Sequence, residues 1–503
     1  MRTLRPLVTV VILAAIGLFF WQLEHGPPAA GVPPRRAAGA PAGGARATGA
    51  SAGGARASGV TVSEPVVPSI SPPVSELPLY EPEYHLDREI NPRLSLNAGL
   101  VDLEGVGGIL GGVDPLLELQ ENAPRGQARA FAAPILNFEG QSFTGVNPPD
   151  TEGDVGPHHY IQIINGAGGA VFVIYDKAGG VLSGPTSLDS LGVLDCANGL
   201  GDPIVLYDRL ADRWLLSEFS TEGSKLCVYI SSTPDPLGEW YHYAFTAPEF
   251  PDYPKYAVWP DAYYLSTNEW SPAVYALDRN QMLSGKPATF QRFAPPSLAG
   301  FGFQAFTPSD LDGSMPPPAG SPNYFVRHRD DEVHNSGYNN PSVDYLEIWE
   351  FSVDFAAPAN SSFSGPKSIP IAEFDSDLCG LDSFECVPMP GTNTTLDPLR
   401  EVVMWRLQYR NFGSHEALVG NLATDVDDTD HAGIRWFELR RSGGGAWSLF
   451  QQGTYAPDEH GRWMGSIAMD GSGNIALGYS VSSSTAYPSV RYAGRLSGDP
   501  LGT

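Results

Sequence analysis

The chain has 503 residues, with 30 Lys+Arg against 57 Asp+Glu and a formal net charge of −27. Residues 1–60 hold six Arg, no Lys and one acid, Glu24, so the remainder carries 24 basic against 56 acidic residues. This balance excludes nucleic acid as a partner, because that affinity rests on Lys and Arg neutralising phosphates; it suits cations, neutral ligands or a basic protein, and it also serves solubility.

The N-terminus reads as an address. Met1 to Arg5 is short and basic, and Leu7 to Leu23 is uncharged and apolar until Glu24 stops it. A cleaved signal peptide has this layout. The run also reaches the lower limit for a membrane-spanning helix, about 17 residues. No crisp small-x-small cleavage site follows, so residues 1–25 are expected to be an uncleaved anchor, with Arg2 and Arg5 in the cytoplasm. The membrane is then a partner and the body lies in the periplasm or outside the cell. The alternative is a secreted chain.

Residues 26–133 read as a linker. AGGARATG at 42–49 returns as AGGARASG at 52–59, residues 61–95 turn to Pro and Glu, and 100–119 is broken by five glycines. Such a stretch reads as a tether with no core of its own. The four cysteines, Cys196, Cys227, Cys379 and Cys386, form no CxxC motif. In an exported chain two disulfides are expected, with one pair flanking a hairpin and the other seven residues apart in one loop.

From residue 134 to 503 a unit repeats. GDPIVLYDRLADRWLLSEF (201–219) is an apolar run, a polar turn and a second apolar run, the signal of a hairpin. Similar hairpins begin near 160, 256, 323, 402 and 466, and most are followed by a second, aromatic-alternating hairpin. Two hairpins make a four-stranded sheet, and sheets recurring every ~40–50 residues mark a β-propeller. The expected fold is therefore all-β, a propeller of six four-stranded blades, with five to seven allowed. PILNFEGQSF (134–143) is expected to complete the last blade, which would remove an exposed edge. A pair of β-sandwiches is the rival architecture.

The runs NPPDTEGDVGPHHY (147–160), GDPIVLYDRLADRWL (201–215), FPDYPKYAVWPDAYYLSTN (250–268) and HGRWMGSIAMDGSGNIALGYSVSS (460–483) together resemble a module of exported bacterial proteins. The resemblance covers about 134–503 and implies a propeller-like fold with no established activity. The last repeat also resembles sialidase-type propellers. Their Ser-x-Asp-x-Gly-x-x-Trp motif is met here only at Asp470, with Ala468 and Ser472 in place of Ser and Gly, and without the Trp.

If each hairpin starts with the innermost strand, the segment before it lies at one mouth of a central channel. Those segments bring Asp150, Asp154, Asp202, Asp252, Asp310 and Asp312, and packed like charges need cations or hydrogen bonds to offset them. Turn chemistry alone accounts for many such Asp residues. Asp150-x-Glu152-x-Asp154 and Asp310-x-Asp312 also have the alternating oxygen ligands of a Ca²⁺ site. Carboxylates beside Tyr253, Lys255, Arg406, Arg410, His460 and Arg462 would equally furnish a general acid, a base and an anion clamp. No GxSxG, HExxH, Walker loop or strand-coupled GxGxxG occurs. The sequence reading is a membrane-tethered binding or scaffold module that meets a glycan or a surface protein. Its alternative is a carbohydrate-active hydrolase or lyase working at the channel mouth.

Overall fold

A computed structural model of the chain describes residues 55–56, 59–82, 112–121, 134–220, 224–269, 271–298, 303–334, 340, 342–380 and 384–503. The anchor expected at 1–25 lies outside the described residues, as does most of the linker. Among the described residues no helix is long and apolar enough to cross a membrane.

The fold is all-β and propeller-like. The first sheet has four antiparallel strands in sequence order: β1 (Glu152–Val155), β2 (His159–Gly166), β3 (Gly169–Asp176) and β4 (Val181–Ser187). The second runs β5 (Gly201–Asp208), β6 (Arg213–Ser220), β7 (Lys225–Ser231) and β8 (Trp240–Thr246). The third runs β9 (Asp252–Val258), β10 (Tyr263–Asn268), β11 (Pro272–Leu277) and β12 (Phe290–Phe293). A nine-stranded sheet follows. It contains β13 (Thr307–Asp312), β14 (Asn323–Arg329), β15 (Val343–Ser352) and β16 (Ser362–Ala372), then β17 (Leu407–Asn411), β18 (Glu416–Asp425), β19 (Ala432–Arg441) and β20 (Ser448–Tyr455). Its halves join through a parallel pair, β13 on β17, with Ser309 opposite Leu407. The last sheet has only β21 (Gly461–Met469), β22 (Ile475–Ser482) and β23 (Ser489–Arg495).

Strands buried on both faces explain the near-continuous apolar runs. Alternate residues of β6 serve different cores, as the two-residue period of a strand requires. Trp214 and Leu216 pack with Ile161 and Phe172 of the first sheet, whereas Leu215 packs with Tyr263 and Leu265 of the third. Tyr264 and Val274 then face Phe325, Phe351 and Phe437 of the nine-stranded sheet. Beyond it, Val419 and Trp436 pack on Ile467 and Leu477 of the last. Each large apolar side chain so buried contributes about 1.5–3 kcal/mol.

Three expectations are corrected. Residues 134–143 form no strand and do not complete the last sheet. They lie on the first sheet instead, where Phe138 packs on Tyr160 and Tyr175 and the Gln141 side chain donates to the carbonyls of Gln162 and Val171. The far face of the last sheet consequently leaves Met464, Val490 and Tyr492 exposed. The hairpins near 160 and 323 are second and third strands, because short polar strands, β1 and β13, precede them. Their carboxylates disguise them as loops in the sequence. Finally, part of the linker is built into the fold. Thr61–Val62 pairs with β12 and Ser69–Ile70 with β8, so this Pro-rich segment covers two sheet edges. Asp114 is also buried, 2.7 Å from the guanidinium of Arg435.

Both disulfides are formed, Cys196–Cys227 and Cys379–Cys386, and no cysteine is free.

Candidate functional site

Five inner strands meet: β1 abuts β5, β5 abuts β9, β9 abuts β13, and β13 pairs with β17. Two of them open with the same device. The ladder of β5 slips between Gly201 and Ile204, and that of β9 slips between Asp252 and Lys255. Asp202 (φ 47°) and Tyr253 (φ 53°) sit in the left-handed region at these bulges. Each is followed by a proline, Pro203 or Pro254, which has no N–H to offer the interrupted ladder. A bulge re-aims its side chain, and residues held in this region cost about 1–3 kcal/mol each. Asp150, just before β1, shares the conformation (φ 40°).

The carboxylates expected at the mouth come together here. Asp150 Oδ2 accepts from Asn165 Nδ2 at 2.7 Å, and Asn165 Oδ1 accepts the Asp202 N–H at 3.2 Å. Burial raises the Asp202 carboxyl well above its ordinary range. The charges of Asp150 and Asp252 and a hydrogen bond with Asp150 add to this. Glu152 is pushed up to about 7, first by burial and then by Asp150 and Asp154, against the pull of Lys255 and Arg406. Lys255 Nζ stands 4.0 Å from Glu152 Oε1 and 4.3 Å from the centre of the Tyr253 ring. Burial would lower this ammonium, but Tyr253, Glu152, Asp202 and Asp150 outweigh it and hold it raised. Burial likewise lifts the Tyr253 phenol to about 12.

Arg406, one residue ahead of β17, crosses the site. Its Nη2 is 3.0 Å from Asp154 Oδ2 and its Nε is 3.4 Å from Asp310 Oδ2. Asp154 Oδ2 also accepts the Tyr207 N–H, and Asp310 Oδ1 accepts the Val258 N–H. Asp310 rises to about 7 through burial, with Arg406 opposing. Asp312 is held between Arg209 (2.9 Å) and Arg410 (3.1 Å), and Gln408 donates to it as well. The side chains of Glu152 and Arg406 are 22% and 24% exposed, so water reaches the rim of this crowded cluster.

Guanidinium groups already hold Asp154, Asp310 and Asp312, three of the five oxygen ligands that the sequence suggests for Ca²⁺. His460 and Arg462 are not brought to the site. His460 bonds Ser483, and Arg462 pairs with Asp458 at 2.8 Å over the rings of Tyr455 and Tyr479. Sequence reasoning missed Asn165 and Arg209. An Asn closing the apolar run of β2 was the available signal for the first; Arg209 lies in an ordinary polar turn and gave none.

No protein-family profile matches the chain, and no curated protein matches it. Among solved structures, an endo-arabinase from Bacteroides thetaiotaomicron is 14% identical, over 60% of this chain and 95% of its own, at a TM-score of 0.29. An exo-β-1,3-galactanase from Clostridium thermocellum is 11% identical, over 67% and 72%, at 0.29. A polysaccharide lyase, an ulvan lyase, is 11% identical, over 67% and 81%, at 0.29. Scores of this size carry no argument about fold or activity.

Proposed function

We propose that the chain is an extracytoplasmic carbohydrate-active hydrolase whose site is the mouth formed by β1, β5, β9, β13 and β17. One observation carries this reading: a carboxyl that titrates near neutrality, Glu152, stands beside a second carboxyl pair, Asp150 and Asp202, at a water-accessible rim. Acid–base hydrolysis of a glycosidic bond needs two carboxyl groups in different protonation states. Glu152 is the general acid that protonates the leaving oxygen. The Asp150–Asp202 pair holds the second carboxylate, which activates water or attacks the sugar. Lys255 and Arg406 fix the acid's surroundings, and Tyr253 gives a ring for the sugar to rest on. Seven carboxylates (Asp150, Glu152, Asp154, Asp202, Asp252, Asp310, Asp312) face four cations (Lys255, Arg406, Arg410, Arg209). That excess favours neutral polysaccharides over uronate-rich ones.

In this reading the nine-stranded sheet counts as two blades, giving six with an open seam between the last and the first. The segment at 1–25 tethers the propeller to a membrane, in a compartment oxidising enough for the two disulfides.

A second reading, a glycan-binding or scaffold module, is favoured by the ion pairs of Arg406, which tie β1 to β13 as a strut would. One experiment separates the two. The wild-type chain and Glu152→Gln are incubated with a panel of neutral polysaccharides, and reducing ends and binding are both measured. Release of reducing ends by the wild type that Glu152→Gln lacks supports the hydrolase. Binding without release in both proteins supports the module.

A further inference from the structure

A second acidic group lies away from the mouth, at the far end of β14. Asp330, Asp331, Glu332, Asp344 and Glu373 are all at least nine-tenths buried. One oxygen from each of Asp330, Glu332 and Asp344 lies within 4.8 Å of the other two. Ligands of one ion sit this close when each is about 2.3–2.6 Å from it.

Backbone donors hold two of the three carboxylates in place. Asp330 accepts from the N–H groups of Glu332 and Val333 on one oxygen, and from the N–H and hydroxyl of Ser376 on the other. Asp344 accepts from the N–H groups of Asp331 and Phe374. Asp331 accepts the Asn340 N–H on Oδ1. Asp331 Oδ2, Glu332 Oε2 and Glu373 Oε2 are buried and have no hydrogen-bond partner. A buried unpaired carboxylate oxygen costs several kcal/mol, so it calls for a partner.

Of the side-chain cations packed nearby, the buried Arg400 acts on Asp377, and the others are committed elsewhere. Arg327 and Arg329 pair with Glu347, and Arg435 pairs with Asp114 and donates to the carbonyls of Ala372 and Glu373. His334 Nδ1 lies against the Asp330 carbonyl.

We propose that Asp330, Glu332 and Asp344 form a calcium site that fastens β14, the short helix Asp331–His334 and β15 to one another. Asp331 and Glu373 flank the ion and complete its oxygen shell. Calcium fits an irregular, all-oxygen, multi-carboxylate set; magnesium demands near-octahedral geometry and keeps its waters. An acid-lined cleft of about 320 Å³, with Asp375, Asp377, Asp425, Asp428 and Asp430 on its walls, lies beside the cluster, because Ser376, between Asp375 and Asp377, bonds Asp330.

The test uses the full chain, stripped with EGTA and titrated with CaCl₂ by calorimetry and thermal melting, with MgCl₂ as a parallel arm. One calcium per chain is expected, with a melting rise of about 3–6 °C at saturation. Glu332→Gln should weaken calcium binding at least ~10-fold. Its amide keeps the side chain's volume, and its free oxygen bonds nothing, so this variant should fold even if Asp344→Asn does not. Glu152→Gln, at the channel mouth, should leave the calcium response intact. Absence of both heat and melting shift in the wild type overturns the proposal. So does a response that survives Glu332→Gln unchanged, one that disappears in Glu152→Gln, or one that magnesium reproduces equally.

Discussion

The two acidic clusters handle the same problem in opposite ways. At the mouth, Asp154, Asp310 and Asp312 meet Arg406, Arg410 and Arg209, and the chain supplies the counter-charge itself. Beyond β14, five carboxylates gather with no ion pair among the described residues, and three of their oxygens have no hydrogen-bond partner. The difference is one of purpose. A site balanced by its own arginines can leave Glu152 near neutrality, with Asp202 held raised by burial, while water reaches the rim. A sealed cluster with no ion pair of its own among the described residues calls for protons or an ion, and in the proposed reading its use is to hold strands together.

The comparison breaks most severely at Arg406. Arg406→Met leaves Asp154 and the buried Asp310 without their shared partner, and removing one member of a buried pair costs about 3 kcal/mol or more. Urea denaturation should show that loss, and adding Asp310→Asn to the variant should restore part of it. No recovery in the double variant would mean that Arg406 acts through packing on Trp405, whose ring lies 5.0 Å away.

Glu152→Gln tests the same cluster through chemistry. Removing a general acid typically costs 10²–10⁴-fold in rate. Activity of the wild type should fall as pH rises through about 7, where Glu152 loses its proton. The sign for stability is separate. A carboxyl whose folded pKa is raised stabilises the protein fully only below its ordinary value, and that contribution is lost as pH climbs to the raised one. Wild-type melting temperature should therefore decline between about pH 4.5 and about pH 7 more steeply than that of Glu152→Gln. Equal slopes would show that Glu152 is better solvated than its neighbours imply.

Much of this was legible in the residues. The two-faced apolar strands and their turns announced stacked sheets, and the carboxylates preceding four of the hairpins pointed to the acidic cluster where β1, β5, β9 and β13 meet. What escaped has a physical reason in each case. Glu152–Val155 and Thr307–Asp312 are strands whose side chains line polar space, so they carry no apolar alternation. Residues 134–143 look strand-like, yet Tyr160 and Tyr175 of the first sheet give Phe138 an aromatic seat that the open edge of β23 lacks. Thr61–Val62 pairs through its backbone alone, which composition cannot reveal. The run Asp330-Asp331-Glu332 was visible, but only folding brings Asp344 and Glu373 against it.

The smallest expected effect concerns a third bulge. The ladder of β21 slips between Trp463 and Ser466, and Met464 sits there at φ 48°, as Asp202 and Tyr253 do in β5 and β9. The backbone is shared, but Met464 is an exposed apolar side chain with no group to titrate or to hydrogen-bond. Strain at Asp202 and Tyr253 therefore serves the site, whereas at Met464 it serves only the shape of the strand. Met464→Gly removes the steric cost of a left-handed residue and gives up little packing, while adding some freedom to the unfolded chain. The balance should be a gain of about 0.5 kcal/mol, read as a slightly higher urea midpoint with glycan activity unchanged. The same change at Asp202 should spare stability to a similar degree and abolish activity. If Met464→Gly costs activity too, the open seam beside β21 belongs to the substrate path, and the mouth extends further round the ring than its carboxylates indicate.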